Sequence, residues 1–244
     1  MNLVVDIGNS QTKAAIFDEG RIIQTFFIKS LDSDQVRGLK EKYPEISQAI
    51  LSSVTDVDRG LLETLKKEFG YFLEFNYQTP VPIRNLYESK STLGLDRLAA
   101  AVGGISLFPG SELLIIDAGT AITYDIIDKN HNFLGGNIAP GLSMRFKALN
   151  NFTSKLPEVS RGDQWPHYGK NTEEAIRAGV QQGMIFEIEG TICQIRNEWP
   201  DCKIVLTGGD SFFFDKKLKS TIFVKFELTL IGLNRILEFN ANGN

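Results

Sequence analysis

The stretch Leu3-Val4-Val5-Asp6-Ile7-Gly8-Asn9-Ser10-Gln11-Thr12-Lys13 decides how this chain is read. Residues 3–5 are an apolar run of the kind that forms a buried strand, and the run ends on an acid, Asp6. Gly8-Asn9-Ser10 predicts a tight turn. The polar residues Thr12 and Lys13 follow, and residues 14–17 (Ala-Ala-Ile-Phe) resume an apolar strand. Asp18-Glu19-Gly20 makes a second turn before a third strand over 21–28. The unit is strand–turn–strand–turn–strand. It is not a Walker loop, which needs GxxxxGK[ST] leading into a helix. Backbone donors of such a turn can cradle a phosphate. Asp6 can face a hydrated divalent metal, and Lys13 can meet a terminal phosphate as a point charge. Taken alone, the stretch is equally an ordinary first hairpin with an Asp-Gly turn.

A second copy separates the two readings. Leu113-Leu114-Ile115-Ile116-Asp117-Ala118-Gly119-Thr120-Ala121-Ile122-Thr123 repeats the pattern, with Asp117 matching Asp6, Gly119 matching Gly8, Thr120 matching Asn9 and Thr123 matching Thr12. Asp128-Lys129-Asn130 then stands where Asp18-Glu19-Gly20 stood. Two acid–glycine turns on two meanders predict a duplicated domain whose turns face each other across a cleft.

The pair resembles the actin, hexokinase and heat-shock ATPase superfamily, in which two ribonuclease-H-like halves grip ATP between phosphate-binding hairpins. Within it, the chain is similar to type III pantothenate kinases. Residues 6–13, Gly94-Leu95-Asp96-Arg97, Asp117-Ala118-Gly119-Thr120 and Gly135-Gly136-Asn137-Ile138-Ala139-Pro140-Gly141 carry the likeness, in the family's order and over essentially the whole chain. The resemblance implies an α/β fold, a duplicated ribonuclease-H-like (actin-like ATPase) fold of two halves, 1–95 and 96–244, with mixed sheets flanked by helices. It also implies ATP-dependent phosphorylation of pantothenate, the first step toward coenzyme A. A kinase of the same fold acting on another small hydroxy compound, and a non-catalytic kinase-like regulator, are the alternatives.

The resemblance assigns residues as well. Asp6, Ile7, Gly8, Asn9, Ser10, Gln11, Thr12, Lys13 and Thr120 are expected at ATP, with Asp6 holding magnesium through water. Asp117 is expected to bind a monovalent cation, potassium or ammonium. Asp96 is the expected acceptor of the substrate's hydroxyl proton, and Tyr87, Gly94, Leu95, Asp96, Arg97 and Thr172 are expected at pantothenate. An acid at a helix start is favoured by the helix's positive end. Asp96 would therefore act by orienting the hydroxyl and taking its proton late. Arg97 suits a carboxylate because its planar fork can make two parallel hydrogen bonds. Tyr87 reads equally as a packed aromatic, Thr172 as a helix-start residue, and Asp117 as an acid capping its own turn. The resemblance further implies a homodimer.

Composition limits the other classes. The 244 residues are 42% hydrophobic and 23% charged, with a net charge of −4 and no basic block, so nucleic acid is not an expected partner. Two cysteines, Cys193 and Cys202, are too few for a disulfide framework and are expected as free thiols in a cytoplasmic protein. No signal peptide or membrane helix is expected. His131 and His167 lack the company of a zinc site.

Along the chain, helices are expected over 33–43 with Ser33 as cap, over 55–69 capped by Thr55 or Asp56, over 98–102 just after Gly94-Leu95-Asp96-Arg97, over 141–150, from an Asn171 cap with Glu174 at the capping-box position, and over 228–239. Strands are expected over 48–54, 71–75, 132–138, 203–206 and 223–226. Residues 79–83 hold two prolines and read as an extended connector. Gly103-Gly104 leaves open whether its helix is continuous. Residues 155–165 read as irregular, and the tail 240–244 as frayed.

Overall fold

The computed structural model describes residues 1–9 and 11–243; Ser10 of the first turn and Asn244 lie outside them. By packing, the chain forms two compact units. Unit 1 comprises Met1–Gly110, Asn130–Leu134 and Glu227–Asn244, and unit 2 comprises Ser111–Lys129 and Gly135–Phe226. This division by packing differs from the 1–95/96–244 division by repeat, because the C-terminal helix packs in unit 1.

Unit 1 opens with β1 (Asn2–Ile7), β2 (Thr12–Asp18), β3 (Arg21–Ile28), α1 (Ser33–Lys42), β4 (Gln48–Ser53), α2 (Arg59–Glu68) and β5 (Tyr71–Glu74). The sheet order is β3-β2-β1-β4-β5, with β1 antiparallel to β2 and parallel to β4. Leu3, Val4 and Val5 are all fully buried, which is why the run does not alternate: β1 is central and covered on both faces. On one face, Leu3, Val5, Ala14, Ile16 and Leu51 pack against Val36 of α1 and Leu61 and Leu65 of α2. On the other face, Val4, Ala15 and Ile50 are fully buried.

That second face is covered by α3 (Leu95–Leu107) and α7 (Leu228–Ala241), which pack on one another and on the sheet. Asn2 donates from Nδ2 to Asn234 Oδ1 of α7 at 2.8 Å, fixing which side α7 lies on. A Cβ on Gly103 would strike the Leu228 carbonyl, and one on Gly232 would strike the Ala99 carbonyl. The glycines therefore lie inside a continuous α3 and let two helix backbones touch. The connector leads through β6 (Arg84–Asn85), which pairs in parallel with Asn132 and Phe133.

Unit 2 repeats the plan with β7 (Leu113–Ala118), β8 (Ala121–Ile127), β9 (Asn132–Pro140, whose first three residues belong to unit 1), α4 (Leu142–Asn151), α5 (Thr172–Glu198), β10 (Lys203–Thr207), α6 (Ser211–Asp215) and β11 (Phe223–Val224). The second sheet runs β11-β10-β7-β8-β9-β6, so β9-β8-β7-β10-β11 reproduces the order of the first. Leu114, Ile116, Ile204 and Leu206 form its core with Phe146 of α4 and Ile176, Met184, Ile188 and Ile192 of α5.

Four local expectations are corrected. The cap of α1 is Asp32, not Ser33: its Oδ1 accepts from the Gln35 amide at 2.8 Å, and Gln35 Oε1 accepts from the Asp32 amide at 2.9 Å. This reciprocal box fixes the start one residue earlier. The cap of α2 is Asp58, accepting from Leu61 N at 3.0 Å. Thr55 is tied instead to Ser53, whose Oγ donates to its carbonyl at 2.7 Å. The last helix reaches Ala241, so little of the 240–244 tail is left outside it. Asn171 caps α5 as expected, accepting from Glu174 N at 2.9 Å, but Glu174 reaches back to Lys170 N rather than to the cap residue.

Cys193 is exposed and Cys202 is buried, and both are free. Burial pushes the Cys202 thiol up to about 11. Reaction of the native protein with a thiol reagent at pH 8 is expected to leave Cys202 unlabelled until denaturant is added, because the thiolate is the nucleophile. Fast labelling of two thiols in the native state would contradict the burial. No helix among the described residues is long and apolar enough to cross a membrane.

Candidate functional site

The first acidic turn is built by strand register. Asp6 lies opposite Lys13 on β2 and beside Ser52 on β4. Register partners project to the same face, so all three side chains lie on the α3/α7 side of the sheet. Asp6 and Ser52 are buried, and Lys13 is half-buried. Gly8 N donates to Gln11 O at 3.1 Å, closing the turn, so this amide is not the group that would meet a phosphate. Asn9 and Gln11 are exposed at the tip. Ile7 and Thr12 face the α1/α2 side, and Thr12 is 2% exposed, which takes its hydroxyl off the Asp6 face. Of the expected ATP residues, then, Asp6 and Lys13 share a face, while Ile7 and Thr12 have only backbone to offer there. Ser10 was expected at ATP and lies outside the described residues.

The second turn has the same plan with one residue fewer. Positions 8–11 separate the paired Ile7 and Thr12, whereas positions 119–121 separate the paired Ala118 and Ile122. Asp117 consequently lies opposite Thr123 and beside Thr207. Thr123 is thus the positional twin of Lys13, not of Thr12, and only the first turn carries a cation. Asp125, missed in the sequence, is 1% exposed on the same face, and its Oδ2 accepts from Thr123 Oγ1 at 3.4 Å. Its signal was there to find: an acid in alternation with Asp117's partner.

Two glycine loops close over this turn. Gly208, at φ +92°, is packed so that a Cβ would strike Asp117 Oδ1 and the Ala118 carbonyl. Asp210 N donates to Ala118 O at 2.8 Å, pinning the loop. A Cβ on Gly141 would strike the carbonyls of Gly119 and Thr120, and Gly141 N donates to Thr120 O at 3.1 Å. The 135–141 segment that carries the family likeness and the 207–210 loop therefore both close over residues 117–120. Thr120 itself is exposed. Asp210 ion-pairs with Arg161 at 2.8 Å, yet burial pushes its carboxyl above the usual range, against the pull of Arg161.

A polar network behind the second turn went unread in the sequence. Glu187 of α5 accepts from Tyr124 OH at 2.8 Å and pairs with Arg145 at 2.7 Å, and Arg145 Nε donates to Pro140 O at 2.7 Å. Burial and the bond to Glu187 push the Tyr124 phenol up. The network ties the end of β9 to α4 and α5. Its members are far apart in sequence and show no periodicity.

The Gly94-Leu95-Asp96-Arg97 segment starts α3, with Gly94 at the N-cap. Asp96 Oδ1 accepts from Arg97 N at 2.8 Å, satisfying a donor that the helix start leaves open. Leu95 is 9% exposed and belongs to the core, which leaves only its backbone to a ligand. Arg97 is 7% exposed, with its guanidinium carbon 5.7 Å from the Tyr87 ring centre and 5.9 Å from that of Phe133. Tyr87 and Phe133 meet edge-on at 6.1 Å. Tyr87 and Arg97 are thus brought together, and Phe133 is the partner that sequence reasoning missed. Thr172 is the exposed first residue of α5, in the other unit.

The groups that share the Asp117 face are oxygens: its own carboxylate, the Thr123 and Thr207 hydroxyls and the Asp125 carboxylate bonded to Thr123. Among the described residues no group of three or more His, Cys, Asp or Glu could hold a metal ion. An oxygen-only set fits a hard cation better than a transition metal that prefers nitrogen or sulfur.

Comparison with known proteins supplies the chemistry. The sequence profile of the type III pantothenate kinase family matches residues 2–194. The chain is 48% identical over 240 residues to the type III pantothenate kinase of Phocaeicola vulgatus, covering 98% of this chain and 99% of that one. A Campylobacter jejuni structure assigned to the Baf family of transcriptional activators has a TM-score of 0.63 at 25% identity, covering 98% of this chain and 99% of that one. The Clostridium difficile activator of 2-hydroxyisocaproyl-CoA dehydratase, solved with ADPNP, has a TM-score of 0.56 at 13% identity, covering 99% and 95%. At that identity it speaks for the fold alone, the duplicated actin-like ATPase fold.

Proposed function

Because this chain belongs to the type III pantothenate kinase family, we propose that its first turn holds the polyphosphate of ATP, that Asp96 takes the proton of the pantothenate hydroxyl, and that Arg97 seats the pantothenate carboxylate. Phosphorylation of pantothenate by ATP, the opening step of coenzyme A synthesis, is the activity of that family. The observation that carries the assignment is the shared face of Asp6, Lys13 and Ser52 at the end of β1. Magnesium arriving with ATP would neutralise phosphate charge. Asp6 would hold it through water, and Lys13 would meet the terminal phosphate. At an effective dielectric near 20, a charge pair about 4 Å apart is worth about 4 kcal/mol, so one lysine matters on this face. Backbone at 7–12, Thr120, Gly94, Leu95, Tyr87 and Thr172 complete the contacts.

Asp117 is proposed to hold potassium or ammonium, supported by its oxygen-only surroundings. The assay that tests the whole reading supplies ATP, magnesium and pantothenate, with potassium or ammonium present or omitted, and follows phosphopantothenate by mass. Product is expected, falling sharply when both monovalent ions are withdrawn. No product with pantothenate, but product with another acceptor in a panel, would overturn the substrate. Indifference to both ions would overturn the role of Asp117.

A homodimer is also proposed, with a cytoplasmic location following from the biosynthetic role. Support for the dimer comes from α5, whose exposed face carries Gly179, Gly183, Phe186, Gly190 and Cys193 at helical spacing without a charge. A Cβ on any of those glycines would meet open space, so the face is bare. Phe186 is 62% exposed at its centre. Phe186→Glu is expected to convert dimer to monomer in analytical ultracentrifugation without lowering the melting temperature of the protomer. A dimer that survives the change would move the interface elsewhere.

A further inference from the structure

We propose that a hollow of about 500 Å³ at the Asn2 end of unit 1 is a binding site for a small amphipathic anion, and that it is coupled to the Arg97 box. It lies away from the first turn. The hollow is lined by Phe17, whose register partner is Asn2, four steps along the hairpin from the Asp6–Lys13 pair. At roughly 3.3 Å per step, that is about 13 Å. The volume falls in the range of small-molecule pockets.

The chemistry of the lining sets the class of ligand. Phe17, Ile105, Pro109 and Ile231 give an apolar wall, while His131, Arg235 and Glu238 give a polar rim. The acid of the rim is already engaged. Glu238 Oε1 accepts from Asn234 Nδ2 at 2.9 Å, and its Oε2 lies 3.5 Å from Arg235 Nη1. Asn234 Oδ1 is taken by Asn2. The Arg235 side chain is 53% exposed and has five N–H donors, of which that long contact engages one. The rim thus has donors in excess, and they suit a carboxylate, sulfonate or phosphate carried on an apolar body.

The walls connect the hollow to the acceptor box. Ile105 and Ser106 lie at the far end of the helix that Asp96 and Arg97 begin. His131 and Pro82 enter the β6–β9 ribbon, where Arg84 N donates to His131 O at 2.9 Å and Leu86 N to Phe133 O at 3.0 Å. The ribbon delivers Phe133 and, one residue beyond Leu86, Tyr87 onto Arg97. A ligand pressing on Pro82 and His131 therefore bears on the same ribbon that clamps Arg97. This coupling rests on the pantothenate reading of Arg97; the site itself does not.

The test uses the full-length protein and 1-anilinonaphthalene-8-sulfonate, followed by fluorescence and calorimetry. Saturable one-to-one binding is expected. N-phenyl-1-naphthylamine, the same body without the sulfonate, is expected to bind at least about tenfold more weakly. Arg235→Glu, at a half-exposed position, and Ser106→Trp, which fills the hollow from an exposed rim, are each expected to weaken the sulfonate by about tenfold or more. ATP is expected not to displace it. Unsaturable binding, undiminished affinity in both variants, or displacement by ATP would overturn the site. Since binding is read without turnover, these outcomes stand whether or not pantothenate is phosphorylated. In the active enzyme the sulfonate is expected to shift the KM for pantothenate at least about twofold in wild type and not in Arg235→Glu. An unchanged KM in the wild type overturns the coupling.

Discussion

Replacing Asp96 with asparagine is expected to lower kcat by about 10²–10⁴-fold, the range for losing a positioned general base. The change is close to isosteric, and an amide oxygen can still accept the Arg97 N–H that Asp96 Oδ1 accepts at 2.8 Å. The start of α3 should therefore hold, and with it Arg97 between Tyr87 and Phe133. Calorimetric titration with ATP and a thermal melt are expected to match the wild type, while phosphopantothenate formation falls. Wild-type turnover in Asp96→Asn would remove the base assignment. Loss of the melt together with turnover would make the carboxylate a structural cap, the ordinary use of an acid in a first helical turn. The two outcomes are distinct because the carboxylate and the amide differ in accepting a proton far more than in accepting a hydrogen bond.

What the sequence discloses about this site follows from the range of the interactions that build it. Both acidic turns, the succession of strands and helices along the chain and the cap of α5 are local patterns, so period and turn chemistry expose them. Turn length was misjudged because Thr12 and Thr123 look alike in a linear match, whereas ladder register equates Thr123 with Lys13. The asymmetry that leaves one cation for two acids is visible only in the pairing. Phe133 reaches Arg97, Glu187 reaches Tyr124 and Arg145, and Gly208 reaches Asp117 across long stretches of chain. Such contacts have no period to read. Gly103 and Gly232 belong with them: each resembles a helix defect until α3 and α7 are laid together.

Two neighbouring glycines should behave in opposite ways, and the contrast tests how rigidly Asp117 is held. Gly208 has φ +92°, and a Cβ there would collide with Asp117 Oδ1 and the Ala118 backbone. Gly209 has nothing within 4 Å of its virtual Cβ. Left-handed backbone costs an L-residue roughly 1–2 kcal/mol, and overpacking adds about 1–3 kcal/mol. Gly208→Ala is therefore expected to destabilise by roughly 2–5 kcal/mol, whereas an open surface change such as Gly209→Ala is expected to stay within about 0.5 kcal/mol. The two units allow separate transitions, so a single global midpoint is not assumed. The protein has two tryptophans, Trp165 and Trp199, and both belong to unit 2. Tryptophan fluorescence therefore reports the unit that holds Gly208. At about 4 °C per kcal/mol for a unit of roughly 110 residues, Gly208→Ala should lower that midpoint by roughly 8–20 °C. The same substitution pushes on the carboxylate proposed to hold the monovalent cation, so any surviving activity should respond less to potassium. If Gly208→Ala and Gly209→Ala melt together, the loop yields without cost, and Asp117 is not fixed by the 207–210 segment.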